Sequence, residues 1–127
     1  MDPIPQFLDA HDKEYWASFW AYNNFGPNAV DKIERSRRVI EECLELVQAV
    51  GLAKEEAVKI LDHVYSQEPG RKDHELGDTL FVLYALAYSL QLSTAECSRH
   101  AFHRANAKTP DYWKARHENK KGLGLSE

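Results

Sequence analysis

Apolar residues recur along this chain at helical spacing. From Ala57, the positions Ala57, Ile60, Leu61, Val64 and Tyr65 fall at i, i+3, i+4, i+7 and i+8, one face of a helix. From Val30, the set Val30, Ile33, Ile40, Leu44 and Val47 keeps the same period, with Arg37 as its gap. Gly51 separates the two helices. A third helix is expected from about Lys72 to Leu92. A fourth, from about 94 to 108, opens on the capping box Ser93-Thr94-Ala95-Glu96. Thr109-Pro110 combines an N-cap with proline at the first helical position and starts a last helix. The aromatic-rich stretch Phe7 to Tyr22 reads as helical and is closed by Asn23-Asn24-Phe25-Gly26-Pro27. From Lys120 onward the chain is rich in Lys and Gly and is expected to be mobile. No stretch alternates with period 2. The predicted class is therefore all-α: a helical bundle of four to five helices in one domain over 1–127, with an aromatic-rich N-terminal segment (1–27) and a basic tail (109–127).

Composition narrows the function classes. With 127 residues, 43% of them apolar, the chain has the size and content of one domain with a core. A net charge of −4 excludes a protein that coats nucleic acid, and no nucleic-acid partner is expected. The apolar run through Phe81–Tyr88 is far short of the roughly 20 residues of a membrane span. The opening residues do not read as a signal peptide, so a cytoplasmic location without a membrane partner is expected. Two cysteines, Cys43 and Cys97, exclude a disulfide scaffold and a Cys-type zinc module. Charge is unevenly placed, with 9 basic and 17 acidic residues over 1–98 but 7 basic and 3 acidic over 99–127. An acidic body and a basic C-terminal stretch suit a metal in one part and phosphates in the other.

Two of the predicted helices carry carboxylates three residues apart. Glu42 and Glu45 lie on one, with Glu41 beside them; Glu75 and Asp78 lie on the other. Members of an i, i+3 pair share a helix face one turn apart. Two such pairs on facing helices converge oxygen ligands on one point, which suits a hard cation such as Mg²⁺, or Mn²⁺, over softer metals. Arg37 and Arg38, four residues before Glu41 and Glu42, also account for those two as ordinary surface ion pairs. The second pair is different, because its stripe continues through Val82, Ala85 and Leu86, a face otherwise apolar.

Glu41-Glu42-x-x-Glu45 followed by Glu75-x-x-Asp78 resembles the EExxE…ExxD signature of the all-α nucleoside triphosphate pyrophosphohydrolases, the MazG-like group. Glu75-Leu76-Gly77-Asp78-Thr79-Leu80-Phe81 is similar to the corresponding helix of that group, and Ala105-Asn106-Ala107-Lys108 to its later "ANxK" segment. The resemblance covers roughly residues 30 to 108. It implies metal ligation by Glu42, Glu45, Glu75 and Asp78, and Mg²⁺-dependent cleavage between the α and β phosphates of a nucleotide. Glu41 becomes the candidate for orienting or deprotonating the attacking water, with Asn106 and Lys108 on the phosphates. Trp16 and Trp20, at i, i+4, are candidates for a wall against the base. The pattern departs from the group at His74, where many members carry Glu, and at Thr109-Pro110, where an aromatic is usual. The 29 residues between Glu45 and Glu75 are also at the long end.

The remaining tempting residues have plainer readings. His100 and His103 lack a nearby carboxylate pair, Cys43 reads as packing, and Arg104, Lys114, Arg116, Lys120 and Lys121 read as a solvated basic face. The stretch Thr79–Tyr88 has almost no polar side on a helical wheel, so a homodimer or dimer of dimers is expected around it. The rival functions are a phosphoribosyl-ATP pyrophosphohydrolase-like enzyme and a non-catalytic helical interaction protein.

Overall fold

Four of the six helices in this chain start on a side-chain cap, and three end on a left-handed residue in a shared closure. The computed structural model describes residues 9–127, so Phe7 and Leu8 of the predicted first helix lie outside the described residues. Six α-helices form, more than the four to five expected, and no strand occurs among the described residues. They are α1 (Ala10–Phe25), α2 (Lys32–Val50), α3 (Lys54–Tyr65), α4 (Lys72–Ser89), α5 (Thr94–Asn106) and α6 (Pro110–Gly122). A 3₁₀ helix, Gly26–Val30, joins α1 to α2. The class is all-α, as the spacing predicts. No single helix is long and apolar enough to cross a membrane among the described residues.

Four N-termini are capped by short polar side chains, which satisfy amides that have no partner inside the helix. The Asp9 carboxylate accepts from the Asp12 N–H at 2.8 Å, and Asp31 accepts from Ile33 and Glu34 at 3.0 and 3.1 Å. Ser93 accepts from the Glu96 N–H at 3.2 Å and Thr109 from Tyr112 at 3.3 Å, both as the sequence predicts. Three C-termini close alike. The N–H of Leu52, Leu92 and Leu125 donates back to the carbonyl of Val47, Ala87 and Lys120, at 2.9, 3.0 and 2.8 Å. This is the Schellman closure, with the preceding residue left-handed: Gly51 at φ +114°, Gln91 at +57° and Gly124 at +75°. A leucine follows the left-handed residue each time. Gln91 departs from the glycine rule, at a cost of about 1 kcal/mol for its Cβ.

The chain divides into two compact units, one of Met1–Arg37 with Ala87–Glu127, the other of Arg38–Leu86. In the first, α1 packs on the 3₁₀ helix and on α6. Ala21 is its one buried apolar residue among the described ones. Trp20 and Trp113 both donate their indole N–H to the Ala105 carbonyl, at 3.3 and 3.2 Å. That carbonyl lies in the last turn of α5, where the helix itself offers no partner. The two indoles meet edge to face at 5.0 Å, and Phe25 sets its ring edge to face with Trp20 at 5.6 Å.

The expected mobility of the tail is overturned. α6 runs through Lys120 and Lys121 to Gly122, and Ser126 is buried. The turn at Gly124 brings the Ser126 hydroxyl to the Glu34 carboxylate at 2.8 Å, while Arg37 pairs with Glu34 at 3.1 Å and with Glu127 at 3.4 Å. One hydrogen bond and one ion pair tie the tail to α2.

In the second unit the helical periodicity is as predicted, but the apolar stripes are not covered. Every residue from Val58 to Val82 is exposed, including Ile60, Leu61, Val64, Leu80 and Phe81. These apolar positions of the second unit are open among the described residues.

Candidate functional site

The five candidate carboxylates all lie in the second unit, Glu41, Glu42 and Glu45 on α2 and Glu75 and Asp78 on α4. Glu41 is half-buried and is held by Arg38 at 3.4 Å. Arg37, expected to serve these residues as well, turns the other way to Glu34. Glu42, Glu45, Glu75 and Asp78 are exposed, and their carboxylates make no hydrogen bond or ion pair among the described residues. Glu75 leans back over the loop before α4, where a Cβ added at Gly70 would come within 2.6 Å of its Oε1.

The spacing thus puts each pair on one helix face, but the single chain does not gather the two pairs. No group of three or more His, Cys, Asp or Glu among the described residues is arranged to hold a metal ion. Packing between α2 and α4 over 38–86 is not extensive. A divalent cation with six or more oxygen ligands therefore does not fit the site as one chain presents it.

The residues expected to hold substrate lie in the first unit. Trp16 sets its ring edge to face against Tyr15 and Phe19, at 5.9 and 6.0 Å, whereas Trp20 is engaged with Trp113, Phe25 and the Ala105 carbonyl. The two tryptophans have different ring partners. Beside Trp20 is a shallow apolar depression of about 170 Å³ lined by Ala17, Ala101, Phe102 and Ala105. Asn106 donates its amide N–H to the Phe102 carbonyl at 2.9 Å, which leaves Oδ1 buried and unpaired. Its second N–H is still available to donate, as a contact to a phosphate oxygen would need. Lys108 is exposed, with its ammonium 5.2 Å from the centre of the Tyr112 ring.

Comparison with known proteins adds little beyond this geometry. The chain is similar to the uncharacterized protein YpjD of Bacillus subtilis (strain 168), 32% identical over 72 residues, which cover 51% of this chain. It spans about 65% of that relative's length. No protein-family model and no solved structure matches the chain.

The pattern of apolar positions did not reveal the polar knot around Glu34, a carboxylate only 3% exposed. Besides Ser126 and Arg37 it faces His117, whose Nδ1 is 3.8 Å away. Phe25 sits against His117 at 6.0 Å and under the Arg35 guanidinium at 5.2 Å. The visible sign in the sequence is Arg37 itself, the charged gap in an otherwise apolar stripe.

Proposed function

We propose that this chain is a nucleotide pyrophosphohydrolase of the MazG-like kind. Water attacks a nucleoside triphosphate, the bridging bond between the α and β phosphates breaks, and a monophosphate and pyrophosphate leave. The supporting observation is the pair of i, i+3 carboxylate sets on α2 and α4, in one unit, with no cationic side chain on any of the four. Uncompensated carboxylates at metal-ligand spacing are what an Mg²⁺- or Mn²⁺-dependent phosphate chemistry requires. Glu41 differs from them in being half-buried and oriented by Arg38, which suits a group that positions water. The test is pyrophosphate release from a panel of (d)NTPs and phosphoribosyl-ATP, with and without Mg²⁺. Release from phosphoribosyl-ATP alone would move the assignment to the related pyrophosphohydrolase, and no release from any of them would reject it.

A second reading has its own observation. The uncovered apolar positions of α3 and α4 suit a helical interaction protein in which the carboxylates are only surface charge. A folded chain that releases no pyrophosphate and binds no Mn²⁺ would establish it.

A further inference from the structure

Two positive charges in the first unit gather on one aromatic ring. The Lys108 ammonium lies 5.2 Å from the centre of the Tyr112 ring, and the Arg116 guanidinium 5.9 Å from it. Tyr112 and Arg116 stand four residues apart on one face of α6, and the Tyr112 hydroxyl accepts from an Arg116 Nη at 3.4 Å. Arg116 also lies 5.7 Å from the centre of the Trp113 ring. Trp113 is held in turn by its hydrogen bond to the Ala105 carbonyl and its edge-to-face contact with Trp20. The two rings form a platform that orients both cations.

Like charges held this close repel, and neither has a carboxylate beside it. Lys108 and Arg116 are exposed and make no ion pair among the described residues. Arg38, Arg71 and Arg99, by contrast, each pair with a nearby carboxylate. The acidic residues of α6, Asp111 and Glu118, lie about 100° or more round the helix from Tyr112 and Arg116. Glu118 is also engaged by Lys121 at 3.3 Å. The helix positions flanking Tyr112 and Arg116 on the open side are Ala115 and Asn119, both uncharged.

We infer that this face of α6 is a docking surface for a short acidic segment of a partner protein. Arginine and tyrosine are enriched among the residues that carry binding energy between proteins, and side chains already ordered lose little freedom on binding. Carboxylates of the partner supply the counter-charge that the chain itself does not. The remaining charge selects a short segment over a long polyanion. With 17 acidic against 9 basic residues over 1–98, the chain repels a nucleic-acid strand that runs beyond α6. The surface lies in the first unit and does not depend on the function proposed for the carboxylates of the second.

The test is fluorescence anisotropy of labelled octaglutamate with the full chain at low salt. Octaglutamate should bind, octaglutamine should not, and added NaCl should weaken the binding. Lys108→Gln combined with Arg116→Gln should lower the affinity about tenfold, as the loss of two exposed ion pairs predicts. Lys54→Gln combined with Lys59→Gln removes the same charge from α3 and should change it by less than about twofold. Equal losses from the two pairs would reduce the effect to net charge and overturn the proposal, as would an absence of octaglutamate binding.

Tyr112→Leu keeps both charges and removes the ring that gathers them, so about a threefold loss is expected. An unchanged affinity in that variant, with its helical circular dichroism intact, rejects the platform. If it does not fold, the paired glutamine variants, all at exposed positions, carry the test. Octathymidylate bound more tightly than octaglutamate, with the same dependence on Arg116, would make the face a nucleic-acid site and overturn the assignment. Self-association of the wild type that is lost with Lys108→Gln and Arg116→Gln would give the face to a second copy and overturn it equally.

Discussion

The two units of this chain treat charge in opposite ways. In the first, the most buried charge, on Glu34, is surrounded by a hydroxyl, a guanidinium and an imidazole. In the second, Glu42, Glu45, Glu75 and Asp78 have no cationic partner and lie open. A buried carboxylate must be paired or it is not tolerated, so its partners report on stability. An exposed carboxylate costs nothing to leave unpaired, so its spacing is free to serve a ligand. The buried charge of the first unit is thus partnered, and the four carboxylates on which the proposed function rests are not.

The largest effect that tests this contrast falls on chemistry. Asp78→Asn should lower pyrophosphate release by at least about 1,000-fold, equivalent to about 4 kcal/mol of transition-state stabilisation. The unfolding midpoint of the metal-free chain should not fall, because Asp78 has no partner to lose. Steady-state rates alongside urea unfolding provide the check. A large loss of stability in that variant would mean that the second unit uses its carboxylates structurally, and the contrast would collapse.

Glu34→Ala should do the reverse. Glu34→Ala takes the buried carboxylate away from Ser126, Arg37 and His117, at about 3 kcal/mol. Urea denaturation should show that loss, and the end of the chain should become more accessible to carboxypeptidase because the Ser126 hydroxyl loses its acceptor on Glu34. Ser126→Ala, which removes one hydrogen bond to a charged group, should cost about 1.5 kcal/mol. A tail that stays protected in both variants would place its anchor in the Gly124 turn and not in the Glu34 cluster.

A smaller effect is expected at the end of α4. Gln91 takes the left-handed position that glycine fills at Gly51 and Gly124 in the matching closures. Gln91→Gly relieves the Cβ clash and should stabilise the chain by about 0.5 kcal/mol, once the greater freedom of glycine in the unfolded chain is set against it. A loss of stability would show that the Gln91 side chain contributes more than its strain removes.

The sequence was legible where the signal is local. Ser93 and Thr109 cap helices as their spacing predicts, and Gly51 ends α2, because caps and left-handed turns depend on a few neighbouring residues. The i, i+3 carboxylate pairs were equally legible, since helix geometry alone sets them. The knot linking Glu34 to Ser126 was not, because its members are 92 residues apart and only the folded chain makes them neighbours. Trp20 could be read as aromatic surface or core from its spacing; the Ala105 carbonyl that holds it has no side-chain signature. Periodicity tells which face of a helix avoids water but not which surface covers it.

The smallest effect concerns a charge at the start of α5, on the structural side of the contrast. Glu96 accepts a hydrogen bond from Arg99 at 3.0 Å, and Nε2 of His100 is 3.9 Å away. The Arg99 hydrogen bond, with the positive charge of Arg99 and a smaller contribution from His100, holds the Glu96 carboxyl below its ordinary value of 4.5. A carboxyl whose folded value is lowered contributes stability above the unfolded value and loses it as pH falls through the folded one. The contribution of Glu96 should therefore be complete above pH 4.5 and fade below it. Since this carboxylate is only partly buried, the effect is small and screened by salt. Comparing the urea midpoints of wild type and Glu96→Gln across pH isolates it, because the other carboxylates titrate alike in both chains. The wild type should be the more stable near neutrality, with the gap closing on acidification and narrowing in 1 M NaCl. A gap that persists at low pH would attribute the effect to the capping turn at Ser93 and not to charge.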